Sequence, residues 1–159
     1  MYKRQQSRHL NASLQLREEA IVEYTKTDFD GELKTSDSFA AAQQDARDSG
    51  RLIAIGFFDP GWPSCVEFKT RVVLSKHFAQ LSAERFTFFA VNFRKVNELA
   101  GEEKEQIRKL VNQNEITRTP TLLFLKAETL KREYLHSGHQ DVEPVLTVQK
   151  IASGLHENK

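Results

Sequence analysis

The chain has 159 residues, 39% hydrophobic and 28% charged, which suits one globular domain with a sizeable buried core. Lys and Arg number 23 against 22 Asp and Glu, so no net field draws it to nucleic acid or an anionic surface, and its longest apolar run, Leu52 to Phe58, falls far short of the roughly 20 residues of a membrane-spanning helix. The single cysteine, Cys65, excludes an intramolecular disulfide and any cysteine-rich zinc or iron–sulfur centre; a soluble protein with no metal and no cofactor is expected.

The opening "MYKRQ" matches the translated end of a common transposon sequencing adapter, so residues 1–5 are expected to be an assembly artefact, with an ordinary basic start as the alternative. A truncated N-terminus would hide any export signal and leave a periplasmic or secreted location favoured over the cytoplasm. Residues 7–35 are ambiguous: "EEAIVEYT" can form a short strand, "DFDGE" reads as a turn, and "NAS" at Asn11 is a glycosylation sequon of low specificity.

From there strand and helix signals alternate. Ser36 or Asp37 is expected to cap a helix whose inner face is Phe39, Ala42 and Ala46, and Gly50 stops it. "RLIAIGFF" is continuously apolar and reads as a strand buried on both faces. After a Gly/Pro loop, Cys65, Phe68 and Val72 recur at helical spacing, and Ser75 restarts a helix carrying Phe78 and Leu81. "RFTFFAVNF" is the second buried strand, followed by a charged helix with Ile107, Leu110 and Val111 on its apolar face. "TLLFL" and "REYLHS" form a hairpin with "KAETLK" near its turn. Asp141 starts a last helix carrying Val145, Val148 and Ile151, which Gly154 ends. This order of elements is that of an α/β layered fold.

Two stretches carry a resemblance. "FFDPGWPSC", after the first long strand, and "TRTPTLLFL", at the start of a later one, resemble the thioredoxin superfamily in its branch with F-x-x-x-x-C-x-x-C. The resemblance covers about Asp37 to Leu155 and implies a thioredoxin-like three-layer sandwich, a mixed sheet of four to five strands flanked by helices. Residues 36–159 would form that domain, behind an extension of residues 1–35. It also implies a cis peptide bond at Thr119-Pro120, facing the active-site helix and leaving a backbone edge to pair with an extended peptide, and a glycine at Gly138.

The departures from the family pattern decide the functional expectation. The family's attacking cysteine sits at a helix N-terminus that stabilises its thiolate; here Trp62 stands there, and indole cannot attack a disulfide. Cys65 holds the place of the resolving cysteine with nothing to resolve. Gly56 stands where redox-active members carry a buried carboxylate, and Gly61 where a tryptophan usually precedes the motif. A dithiol cycle is thus excluded on sulfur count. The degenerate motif is expected to leave a recognition groove of Trp62, Pro63, Ser64, Thr119 and Pro120 for a peptide or protein partner. The alternative is a monothiol oxidoreductase or oxidant sensor with Cys65 as its catalytic residue and glutathione as a partner. Bland readings stand beside these: Cys65 as a small buried hydrophobe, Trp62 as a cap packed on Pro63 and Pro120, Pro63 as a first-turn proline, and His77, His136 and His139 as surface histidines without ligand spacing. "GEEKEQIRK" reads as a solvated helix face.

Overall fold

The computed structural model describes residues 33–138 and 143–157. The readings made on residues 1–32, on His139 and on Asp141 fall outside those ranges.

Helix α1 (Phe39–Ser49) begins one residue later than a cap at Asp37 would start it, and two later than one at Ser36, because Ser38 is its N-cap, its hydroxyl accepting the Ala41 N–H at 3.0 Å. The cap follows the burial of Phe39, which places the fully buried ring at the first helical position. Glu103 accepts the Phe39 N–H at 3.1 Å, a carboxylate on a helix N-terminus that otherwise leaves its first amides unpaired. Gly50, at φ 69, closes the helix in the left-handed conformation that glycine adopts without strain.

Strand β1 (Leu52–Phe58) pairs in parallel with β2 (Phe86–Asn92), which requires a crossover. That crossover is α2 (Pro63–Phe68), a widened π-helical turn at Lys69–Val73, and α3 (Lys76–Arg85), which Ser75 caps as the sequence predicts, accepting the Phe78 N–H at 3.1 Å. A 3₁₀ segment (Phe93–Glu98) and α4 (Gly101–Gln113) lead to the hairpin of β3 (Thr121–Leu125) and β4 (Arg132–Ser137). The sheet order is β2-β1-β3-β4, with β3 antiparallel to both neighbours.

Because side chains alternate along a strand, the continuous apolar run of β1 feeds two cores. Ala54 and Phe58, with Phe86, Phe88, Leu122 and Phe124, face Cys65, Phe68, Val72, Phe78, Val148 and Ile151 on the helices of one side. Ile53, Ile55 and Phe57, with Phe89, Leu123 and Leu125, face Phe39, Ala42, Ala46, Ile107 and Leu110 on the other. Leu33 is buried in the first core, and Thr35 bridges in parallel to Phe88, so packing begins ahead of position 36.

Helix α5 (Pro144–Glu157) starts at Glu143, whose carboxylate accepts the Leu146 N–H at 2.7 Å. It buries Val148 and Ile151 as expected, but Val145 is exposed. Gly154 does not end it. The Tyr134 ring lies against its backbone so closely that a Cβ would overlap the ring, so the glycine answers a packing need inside the helix.

Candidate functional site

The sheet register decides which loops meet. In the parallel pair Phe58 lies opposite Asn92, and in the antiparallel pair Phe57 lies opposite Thr121, itself opposite Ser137. The loop after β1, the segment after β2, the approach to β3 and the exit from β4 therefore gather at one edge of the sheet.

Asp59 organises the first of these loops. Its carbonyl accepts the Trp62 N–H at 3.0 Å and its carboxylate accepts the Gly61 N–H at 2.9 Å, closing the Pro60-Gly61 turn. Arg94 Nε donates to the same carboxylate at 2.9 Å. The guanidinium lies over Gly61, with Nη1 3.0 Å from where a Cβ would stand, so the position that carries a tryptophan in the family pattern is roofed by an arginine. Sequence reasoning missed both residues. An Asp two residues before a glycine is a turn signal, but the parallel register that supplies Arg94, 35 positions on, is not visible in the sequence.

Trp62 is the N-cap of α2, with extended backbone; its carbonyl accepts the Cys65 and Val66 N–H groups at 3.0 and 3.2 Å. Its indole is 54% exposed. Pro63, exposed, occupies the first turn, where a missing N–H leaves no bond unmade, and Ser64 is half-buried.

Cys65, three residues on, is a fully buried free thiol. The Asp59 N–H points to its sulfur at 3.4 Å, and the Thr119 hydroxyl also hydrogen-bonds it. Burial pushes the thiol's pKa up; the hydrogen bonds from Thr119, Asp59 N–H and Ser64 oppose this, while the Asp59 charge adds to it.

The structure thus brings Cys65 and Thr119 together. The Thr119–Pro120 peptide bond is cis, Pro120 is buried and Thr119 half-buried. Pro120's carbonyl accepts the N–H of Gly138, which has φ 92, at 2.9 Å. The backbone N–H and C=O of Thr119 pair with no other backbone group among the described residues. Gly56 faces the core that holds Cys65. A Cβ there would overlap the Phe58 ring and come within 3.0 Å of Phe88, so aromatic carbon fills the place of the family's carboxylate.

A mixed sheet ordered β2-β1-β3-β4, helices on both faces, and a cis-proline at the head of β3 opposite the N-terminus of α2 are now in place. The fold is thioredoxin-like. The solved structure of DsbH oxidoreductase superimposes with a TM-score of 0.65 at 23% identity, covering 84% of this chain and 92% of that one. A thioredoxin from Thermus thermophilus gives 0.58 at 20% identity, covering 79% and 91%. The C-terminal domain of DsbD from Neisseria meningitidis, in its oxidised form, gives 0.51 at 13% identity, covering 72% and 90%. No family model matches the chain, and no curated protein matches it in sequence. Among the described residues no helix is long and apolar enough to cross a membrane, and no group of three His, Cys, Asp or Glu side chains is placed to hold a metal.

His136 departs from the surface reading. It is half-buried on β4 and stacks on Phe68 of α2, with ring centroids 5.8 Å apart and planes at 24°. Burial, and then the Lys150 charge, lower its pKa to about 4. An unfolded histidine titrates near 6.5, so between about pH 6.5 and 4 the unfolded chain binds a proton that the folded chain refuses. The neutral ring's contribution is therefore complete above pH 6.5 and is lost as the pH falls. Urea unfolding at pH 7, 6 and 5 is expected to show a loss of about 2 kcal/mol by pH 5 from this group. His136→Phe should remove that part of the slope. An identical slope in the variant would assign the pH dependence to other groups.

Proposed function

We propose that this thioredoxin-fold chain works as a peptide-recognition module rather than a dithiol oxidoreductase, holding an extended segment across a groove formed by Trp62, Pro63, Ser64, Thr119 and Pro120. The observation that carries the reading is what the exposed position of the motif holds: Trp62 is 54% exposed while the only thiol, at 65, is fully buried. An exposed tryptophan is a rigid, low-entropy anchor of the type enriched at binding hot spots. The backbone groups of Thr119, which have no backbone partner among the described residues, offer an extended peptide a strand partner beside it. One protein of the same fold, DsbH, is named an oxidoreductase, but thiol–disulfide exchange needs a thiolate that a substrate sulfur can reach. Burial opposes both requirements at Cys65, and it equally opposes the monothiol reading, with glutathione as its partner, because sensor cysteines are accessible and of low pKa.

Trp62 is the only tryptophan, so its fluorescence reports the groove directly. Titration with a pool of unstructured nonapeptides is expected to blue-shift and saturate the emission, and Thr119→Pro, which deletes the strand-pairing N–H, is expected to weaken that response. Insulin reduction by dithiothreitol is expected to proceed at the uncatalysed rate in the protein's presence. Cys65-dependent turnover, or glutathionylation of the native protein at neutral pH, would overturn the reading in favour of the monothiol one.

A further inference from the structure

We propose that the segment held across this groove carries an acidic side chain, received by Arg118. The inference rests on the groove reading above and adds the chemical class of the partner. Arg118 directly precedes Thr119, and its carbonyl is pinned by the Thr121 hydroxyl at 2.7 Å, which is itself 3.2 Å from the Ser137 hydroxyl. Its side chain is exposed and reaches towards the exit of β4, where Nη1 lies 4.0 Å from the point a Cβ on Gly138 would occupy. That is ordinary contact distance, so Gly138 answers to its backbone conformation, at φ 92, and the guanidinium lies beside it at the exit of the strand.

Three carboxylates of the described residues are engaged elsewhere. Asp59 holds Arg94 and the Gly61 N–H, Glu67 pairs with Arg71 at 3.3 Å, and Glu143 caps α5 through the Leu146 N–H. No carboxylate among the described residues pairs with Arg118. Among the described residues the groove therefore presents an apolar anchor, Trp62 followed by the exposed Val66, a strand edge at Thr119 with no backbone partner, and a planar cation beside that edge with no carboxylate partner. A guanidinium with its donors in a fixed fork matches a carboxylate better than any neutral side chain.

The test is selection of a displayed random nonapeptide library on the full chain, with Trp62→Ala as the counter-selecting control. Asp or Glu is expected at one fixed position of the selected peptides. In the Trp62 fluorescence titration, changing that residue to Gln or Asn should weaken binding about two- to fivefold at low salt, the range of an exposed ion pair, and less at high salt. Arg118→Gln should erase the preference, and Arg118→Glu should select Lys or Arg at the same position. Both variants change an exposed side chain, and a thermal melt checks that they fold. Peptides selected without acidic enrichment, or an acidic preference surviving in Arg118→Gln, overturn this inference and leave the groove reading standing. No enrichment over the Trp62→Ala control overturns the groove reading, and this inference with it.

Discussion

Gly56→Asp is expected to be the most damaging single change at this end of the sheet, lowering stability by about 3–5 kcal/mol, a large share of the roughly 5–15 kcal/mol that holds a domain together. Position 56 lies in the central strand, between Ala90 on β2 and Leu122 on β3. The Phe58 ring covers it, and a new Cβ would meet that ring before any carboxylate was placed. The substitution therefore adds overpacking to the burial of a charge with no partner. Gly56→Ala separates the two effects, since it keeps the overlap without the charge and should cost about 1–3 kcal/mol. Urea midpoints for the two variants against the parent measure both. A Gly56→Asp protein with the parent's midpoint would mean that Phe58 does not occupy that space. The charge alone carries a cost that sequence reasoning can foresee; the overlap with the Phe58 ring adds to it.

What the sequence disclosed and what it concealed divide along physical lines. Order and type of elements were legible because each rests on local pattern: the unbroken apolar run of Leu52–Phe58 requires cover on both faces, and Phe39, Ala42 and Ala46 can share a side only on a helix. That the Thr119-Pro120 segment faces α2 was legible from two motifs in order; the hydrogen bond from the Thr119 hydroxyl to Cys65 was not. Failures occurred where a residue answers to a distant neighbour. Ser38 takes the cap because Phe39 must enter the core, Gly154 stays within α5 because Tyr134 lies on it, and His136 loses its proton because Phe68 and the sheet cover it. The Asp59–Arg94 pair is the plainest case, for it depends on the parallel register of β1 and β2, which no local pattern encodes. Trp62 was legible as a residue that cannot do the family's chemistry; its exposure was not, since a capping indole can equally lie down on its neighbours.

Trp62→Cys is expected to convert the lone thiol into a disulfide. The Cys65 N–H already donates to the carbonyl of residue 62 at 3.0 Å, so the two positions bracket one tight turn at the start of α2. Such a turn holds the Cα atoms within the roughly 4.4–6.8 Å that a disulfide spans. Mild oxidation should then remove about two mass units and both free thiols together. The introduced thiol would lie at the solvent-facing position at the N-terminus of α2, and there it can be a thiolate at neutral pH in a way that buried Cys65 cannot. Insulin reduction should rise above the parent's uncatalysed rate. It should stay slow, because the proton needed to release Cys65 has no carboxylate at 56 to come from, and the aromatic packing over Gly56 closes that route to repair. Peptide binding should fall in the same variant, since the exchange that creates a nucleophile removes the indole anchor. Loss of one function with gain of the other would identify position 62 as the point at which this fold was turned from chemistry to recognition. Two thiols that never pair under oxidation would mean that residues 62 and 65 do not face each other, and the reading of Trp62 as the occupant of the nucleophile's place would fall.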